Sequence, residues 1–174
     1  YNELLKNVES GVNTYWLSKP LRVGVGNKHT LFFEGGDDAM RYGATIMYNN
    51  IAGAMKGSDR TTMQGNITLS YRVKNLMFRN SLSVTHNKAF ESPYGSFSEY
   101  ARLNPYYKPY DENGNINKVL GRFQPSGYGA AARIYYNPLY NATLGTKNES
   151  RYTEIVENFY IEWQAHKNLR LTGR

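Results

Sequence analysis

The chain has 174 residues, no cysteine, three histidines and a net charge of +7, with a mean hydropathy of −0.64. Without cysteine there is neither a disulfide framework nor a thiolate metal site, and His29, His86 and His166 lie too far apart in sequence to read as one ligand set. No apolar run approaches the ~20 residues of a membrane-spanning helix. The lysines and arginines are scattered rather than clustered, so the positive balance reads as a solvated, mildly basic surface, and no nucleic-acid partner is expected.

In chain order, Leu4, Leu5, Val8 and Val12 recur at helical spacing, with Gly11 placed to stop a short helix. The stretch "SKPLRVGVGN" shows no pattern; its "GVG" lacks the lysine and helix context of a phosphate loop. "KHTLFFE" reads as a strand, "GGDDAM" as a turn, and "RYGATIMYNN" as a second strand alternating Tyr42, Ala44, Ile46 and Tyr48 with polar or small neighbours. After a glycine-bearing link comes the clearest signal in the chain, Thr61 to Asn87. Met63, Ile67, Leu69, Tyr71 and Val73 share one face against Gln64, Asn66, Thr68, Ser70 and Arg72. Beyond Lys74-Asn75, Leu76, Phe78, Leu82 and Val84 share a face against Arg79, Ser81, Ser83, Thr85 and Asn87. A period of two means strands, and two such runs joined by two residues form a hairpin. "YTEIVENFYIEWQAHKN" repeats the pattern: Ile155, Phe159, Ile161 and Trp163 oppose Glu154, Asn158, Tyr160, Glu162 and Gln164. Glu157 falls on the apolar side, which requires it to lie above a hydrocarbon layer or to meet another protein element. A turn near Lys167-Asn168 opens a last strand. The chain shows no signal peptide and stops within that strand, so it is expected to be a segment of something larger.

The excursion between Glu91 and Arg151 differs in kind. "SFSE" (Ser96 to Glu99) matches a capping box before a short helix stopped by "NP". "YDENGN" is a turn; Asp111, Asn113 and Asn115 alternate as in a calcium loop, but the closing glutamate is missing, so a turn is the expectation and no metal is assigned. The other carboxylates, Asp37-Asp38 and Asp111-Glu112 among them, sit in turns, and no Ser/His/Asp arrangement has a recognisable spacing. No enzyme activity and no cofactor are therefore expected. Tyr94, Tyr100, Tyr106, Tyr107, Tyr110, Tyr128, Tyr135, Tyr136 and Tyr140 offer flat apolar faces with a hydroxyl at the edge, which suits sugar rings and peptide side chains alike. The plainer role for most of them is to tie the loop to itself, to meet a partner, or to form an aromatic belt at the membrane boundary. The ligand-binding candidates are Arg102, Tyr106, Tyr107 and Tyr110, in a stretch stiffened by Pro105 and Pro109, which lowers the ordering cost of a binding surface.

The connections alternate short and long, as transmembrane β-barrels sort turns to one side and loops to the other. The expected fold is all-β: an antiparallel meander with a long, partly helical loop insertion, a segment of a large transmembrane β-barrel. Strands occupy about residues 28–90 and 152–174, the long extracellular loop about 91–151, and no plug domain lies within residues 1–174. Lipid would cover the apolar face. A soluble secreted carbohydrate-binding β-sandwich, whose faces cover each other, is the alternative, and an adhesin or pilin-like subunit is a further one. With two sheet edges and an uncovered face, the isolated piece is expected to self-associate.

Several phrases resemble SusC/RagA-type TonB-dependent outer-membrane transporters: the "NT-W-L" phrase at Asn13, Thr14, Trp16 and Leu17, the strand ending at Gly35-Gly36, the "RY" opening at Arg41-Tyr42, the "DR" entry in "GSDRTTMQGNITLSY", and "NPYYKPYDENG" in the long loop. The resemblance spans nearly the whole chain in order and spacing. It implies a Gram-negative outer-membrane barrel of about 22 strands around a plug, driven by TonB through parts outside this segment. It also implies a SusD-like surface lipoprotein as lid, and import of oligosaccharides or peptides too large for porins.

Overall fold

A computed structural model describes residues 2–123 and 131–174. In chain order the elements are α1 (Asn2–Glu9), β1 (Val25–Gly36), β2 (Met40–Ala52), β3 (Asp59–Val73), β4 (Leu76–Phe90), α2 (Phe97–Ala101), β5 (Val119–Phe123), β6 (Arg133–Tyr136), β7 (Glu149–His166) and β8 (Leu169–Gly173), with short 3-10 turns at Trp16–Ser18 and Pro138–Thr143. The fold is mostly antiparallel β-sheet with little helix, and the sheet does not close on itself: its order is β1-β2-β3-β4-β7-β8, with a separate two-stranded β5-β6 sheet.

The chain divides into two compact units. The sheet unit comprises residues 25–51, 60–89 and 149–174. Its tight turns follow from local chemistry. Gly36 adopts φ +133°, and a β-carbon there would collide with the Met40 carbonyl, so only glycine fits. The Asp37 carboxylate then accepts from the Ala39 and Met40 amides, both at 2.8 Å. Lys74, at φ +50°, makes the two-residue turn between β3 and β4. Although the long excursion separates β4 from β7 in sequence, the two strands are neighbours. The Asn75 side chain donates to the Gln164 carbonyl at 2.9 Å, Asn80 to Glu157 at 3.1 Å, and His86 Nδ1 meets Thr153 Oγ1 at 2.9 Å. As one strand ascends the other descends, so the pair is antiparallel. In β7 and β8, Trp163 stands opposite Leu171.

The loop unit comprises residues 1–24, 52–59 and 90–148. These are the segment before β1, the β2–β3 link and the β4–β7 excursion. Its core is Trp16, Tyr100 and Leu139, each nearly fully buried, with Leu17, Met55, Leu103 and Ile116 packed around them. The Trp16 indole donates to the Asn104 carbonyl at 2.9 Å, and Thr14 binds the Pro105 carbonyl through its amide and the Tyr107 carbonyl through its hydroxyl. The "NT-W-L" phrase and the "NPYY" phrase are therefore two halves of one contact. Arg22 clamps the β2–β3 link by bonding the Gly53 and Ser58 carbonyls and the Asp59 carboxylate.

Several local expectations are corrected. β1 begins at Val25 and β7 at Glu149, where the expected strands start at about 28 and about 152. The unpatterned "SKPLRVGVGN" contains part of the Trp16 turn and a bridge from Leu21 to Met55. The long loop is partly helical, with α2 and the 3-10 turn at Pro138–Thr143, and it also carries β5 and β6. The capping box does not form: Ser96 Oγ pairs with Ser98 Oγ at 3.0 Å and makes no bond to the α2 backbone. α2 then ends at Ala101, before the Asn104-Pro105 stop.

Candidate functional site

Two features need a purpose: the apolar face of the sheet and the aromatic surface of the loop unit. Side-chain contacts assign each strand's two faces. Gln64 bonds Ser83 and Asn87 bonds Thr62, which puts the even positions of β3 and the odd positions of β4 on one polar face. Thr68 bonds the Gly43 carbonyl, extending that face to the odd positions of β2. On the opposite face, Asn50 bonds Thr61 and Asn80 bonds Glu157. That face therefore carries Ile46 and Tyr48 of β2, Met63, Ile67, Leu69 and Tyr71 of β3, Phe78, Leu82 and Val84 of β4, and Ile155, Phe159 and Trp163 of β7. Leu171 of β8 joins it opposite Trp163. These side chains are not buried: Ile155 is 68%, Ile46 58%, Ile67 57% and Met63 53% exposed. A contiguous apolar face of this size on a soluble surface is unusual. Glu157, whose place among them conflicted with the pattern, has the Asn80 amide as a partner on that face.

The polar face carries its own network. The Tyr160 hydroxyl donates to Glu162 at 2.9 Å, and Arg170 lies 3.9 Å from the same carboxylate. Arg41, Glu34, Thr68 and Arg79 line a hollow of about 280 Å³.

In the loop unit the four candidate ligand residues do not share one cavity. Arg102 caps the end of α2, exposed, beside a hollow of about 330 Å³. Tyr106 is 39% exposed and held through its backbone, its amide donating to Asn104 and its carbonyl accepting from Asn7 at 3.0 Å. Tyr107 is half-buried, its ring 5.8 Å from that of Tyr135, and it lines a larger cavity of about 660 Å³. Burial first, and Tyr135 second, raise its phenol above the ordinary value. Tyr110 is 39% exposed with the Lys19 ammonium 5.2 Å above its ring. The other tyrosines divide as well. Tyr100 is buried and donates to the Tyr94 carbonyl, with burial pushing its phenol up, and Tyr140 carries Lys118 over its ring. Tyr136 is 59% exposed, and Tyr128 lies outside the described residues. Asp111 forms a turn, accepting from the Asn113 and Asn115 amides at 2.9 and 2.7 Å and from the Asn115 side chain.

Sequence reasoning missed the larger cavity. It lies between α1 and β5 and includes Lys6, Lys108, Arg122 and Tyr135. The one available signal was the polar side of α1, where Glu3, Asn7 and Ser10 recur at helical spacing. It also missed Asn137, 2% exposed, whose side chain donates to the Pro109 carbonyl at 2.9 Å and accepts from the Leu139 amide at 3.1 Å.

An amphipathic, open antiparallel sheet, with a compact unit built from its long connections, defines the architecture. A chain of the RagAB peptide transporter has this fold: the match has a TM-score of 0.65 at 21% sequence identity and covers 93% of this chain and 18% of that one. The present chain thus spans less than a fifth of the solved chain that it matches. No family model matches the sequence, and no curated protein matches it.

Proposed function

We propose that residues 1–174 form part of the barrel wall and one loop assembly of an outer-membrane TonB-dependent transporter of the SusC/RagA type, importing oligosaccharides or peptides. The exposed apolar face of the six-stranded sheet carries this reading. In a soluble carbohydrate-binding sandwich those side chains would be buried against a second sheet, and half or more of Ile46, Ile67, Met63 and Ile155 is exposed. In a bilayer they meet acyl chains, while the polar face of Gln64, Asn66, Thr68 and Ser70 meets a lumen. β3 and β4 have 15 residues each and β7 has 18. At ~3.3 Å per residue and the usual tilt, each exceeds the hydrocarbon thickness.

On this reading the loop unit faces outward. Arg102, Tyr106, Tyr107 and Tyr110 are its proposed contacts with substrate or with a SusD-like surface lipoprotein, and TonB acts through parts of the protein outside this segment. The exposed rings of Tyr106 and Tyr110 support that role; Tyr107 acts through the cavity that it lines.

Site-directed spin labelling of the intact reconstituted polypeptide tests the wall. A label at Ile67 should be accessible to oxygen dissolved in lipid and shielded from a water-soluble relaxant, and one at neighbouring Asn66 should show the reverse. Water access at both positions would overturn the reading.

A further inference from the structure

The cavity between α1 and β5 is a groove rather than a pit. Every residue of β5, Val119 to Phe123, lines it. Side chains alternate along a strand, so a hollow over one face would meet only every second residue. This hollow meets all five, and Tyr135 of β6 besides, so it runs along β5 and also reaches the face that Gly121 shares with Tyr135. The sheet β5-β6 has two strands, so among the described residues no strand pairs with the outer edge of β5. Its outward N–H and C=O groups are the unfilled side of a ladder. Five residues at ~3.3 Å give an edge roughly 17 Å long, enough for a peptide of about five residues.

The flanks of the groove are charged in one sense. Lys6 from α1, Lys108 from the "YYKPY" stretch and Arg122 from β5 face it against a single acid, Glu3. None of the three cations has an ion-pair partner among the described residues. Tyr107 and Tyr135 supply ring surface beside Gly121, at the middle of β5. Gly121 makes this possible: a β-carbon there would lie 2.9 Å from Tyr107 Cε1, so the bare backbone lets the ring settle on the strand.

We infer that this groove binds an extended acidic peptide segment, which adds to the open edge of β5 as a third strand with its carboxylates among Lys6, Lys108 and Arg122. Main-chain pairing supplies affinity and the cations choose the sequence. An acidic glycan could satisfy the charges but cannot continue the ladder. The inference rests on the proposed transport role only in that it names the ligand of the same loop unit, and its test does not read lipid contact.

The test uses the intact polypeptide containing this chain, in detergent, and the fluorescence anisotropy of a labelled heptapeptide alternating glutamate and valine. Binding should be saturable. It should weaken roughly tenfold or more in the Lys6→Glu, Arg122→Glu double variant and strengthen in Glu3→Lys, a gain that misfolding would not produce. Methylating alternate peptide nitrogens, which removes the ladder donors and keeps every charge, should abolish it. No saturable binding, equal binding of the methylated peptide, equal competition by an oligogalacturonate, or indifference to the charge variants would each overturn the inference. Spin-label accessibility at Ile67 is unaffected by any of these outcomes, so failure here and failure of the wall reading are separate results.

Discussion

Trp16 and Asn137 hold the loop unit by different means. Trp16 contributes buried area and one indole hydrogen bond, to the Asn104 carbonyl. Asn137 contributes little area but satisfies the Pro109 carbonyl and the Leu139 amide from a nearly sealed position. Trp16→Ala should cost about 3–5 kcal/mol, the range for emptying a large aromatic site. Asn137→Ala should cost about 1–3 kcal/mol for each polar group left unpaired. Chemical denaturation read by protease sensitivity of the loop should show both losses. At Asp37 and Asp111, acceptance from backbone amides, Met40 foremost for the first and Asn115 for the second, holds each carboxyl below the ordinary value of 3.8. A folded value below the unfolded one contributes stability above the unfolded value, lost as pH falls through the folded one. The protection factors of the Ala39 and Asn113 amides, taken relative to intrinsic exchange at each pH, should therefore be independent of pH near neutrality and fall below pH 3.8. The change should vanish in Asp37→Asn for Ala39 only. Protection factors already falling at pH 6 would contradict the turn chemistry.

At the scale of elements, β3 shows what a single strand asks of its surroundings. Ile67 lies near its middle on the apolar face and Asn66 beside it on the polar one. An arginine on a lipid-facing barrel position costs about 2–4 kcal/mol at the midplane, whereas a lumen position tolerates it. On the proposed reading of the sheet as barrel wall, Ile67→Arg should lower the amount of heat-resistant folded protein in the outer membrane, and Asn66→Arg should leave it near the parent level. Equal tolerance at both positions would remove the lipid. The β3–β4 hairpin was legible because one face alternates without a break across a two-residue turn. β5 was not: "VLGRF" is too short for a period to establish itself, and its partner β6 lies beyond an intervening segment. The Ser96 cap failed for a related reason. A neighbouring hydroxyl competes for the same oxygen, and a five-residue helix offers little in return.

Among the described residues, the sheet leaves β1 and β8 without a strand on their outer edges and the apolar side chains of one face exposed. Residues 1–174 alone in aqueous buffer should form large assemblies by light scattering, and detergent that coats the apolar face should disperse them. A monodisperse monomer in buffer at high concentration would contradict both the edges and the face.

Alternation along the chain by itself determined the number, type and facing of the long strands, because side-chain direction in a strand is a local property of the backbone. The short and long connections were equally local: turn residues such as Gly36, Asp37 and Lys74 act on their own neighbours. Which distant pieces meet was decided only by tertiary structure. The "NT-W-L" phrase docks on the "NPYY" phrase some ninety residues on, as the Trp16–Asn104 bond shows. Among the described residues, Tyr107 meets Tyr135 at the groove, while Tyr110 lies under the Lys19 ammonium. The basic groove is assembled from α1, Lys108 and β5, three segments whose sequences carry no period or motif in common. Contacts of that kind depend on how the connections of a meander pack once its strands have paired, and no local pattern encodes that packing.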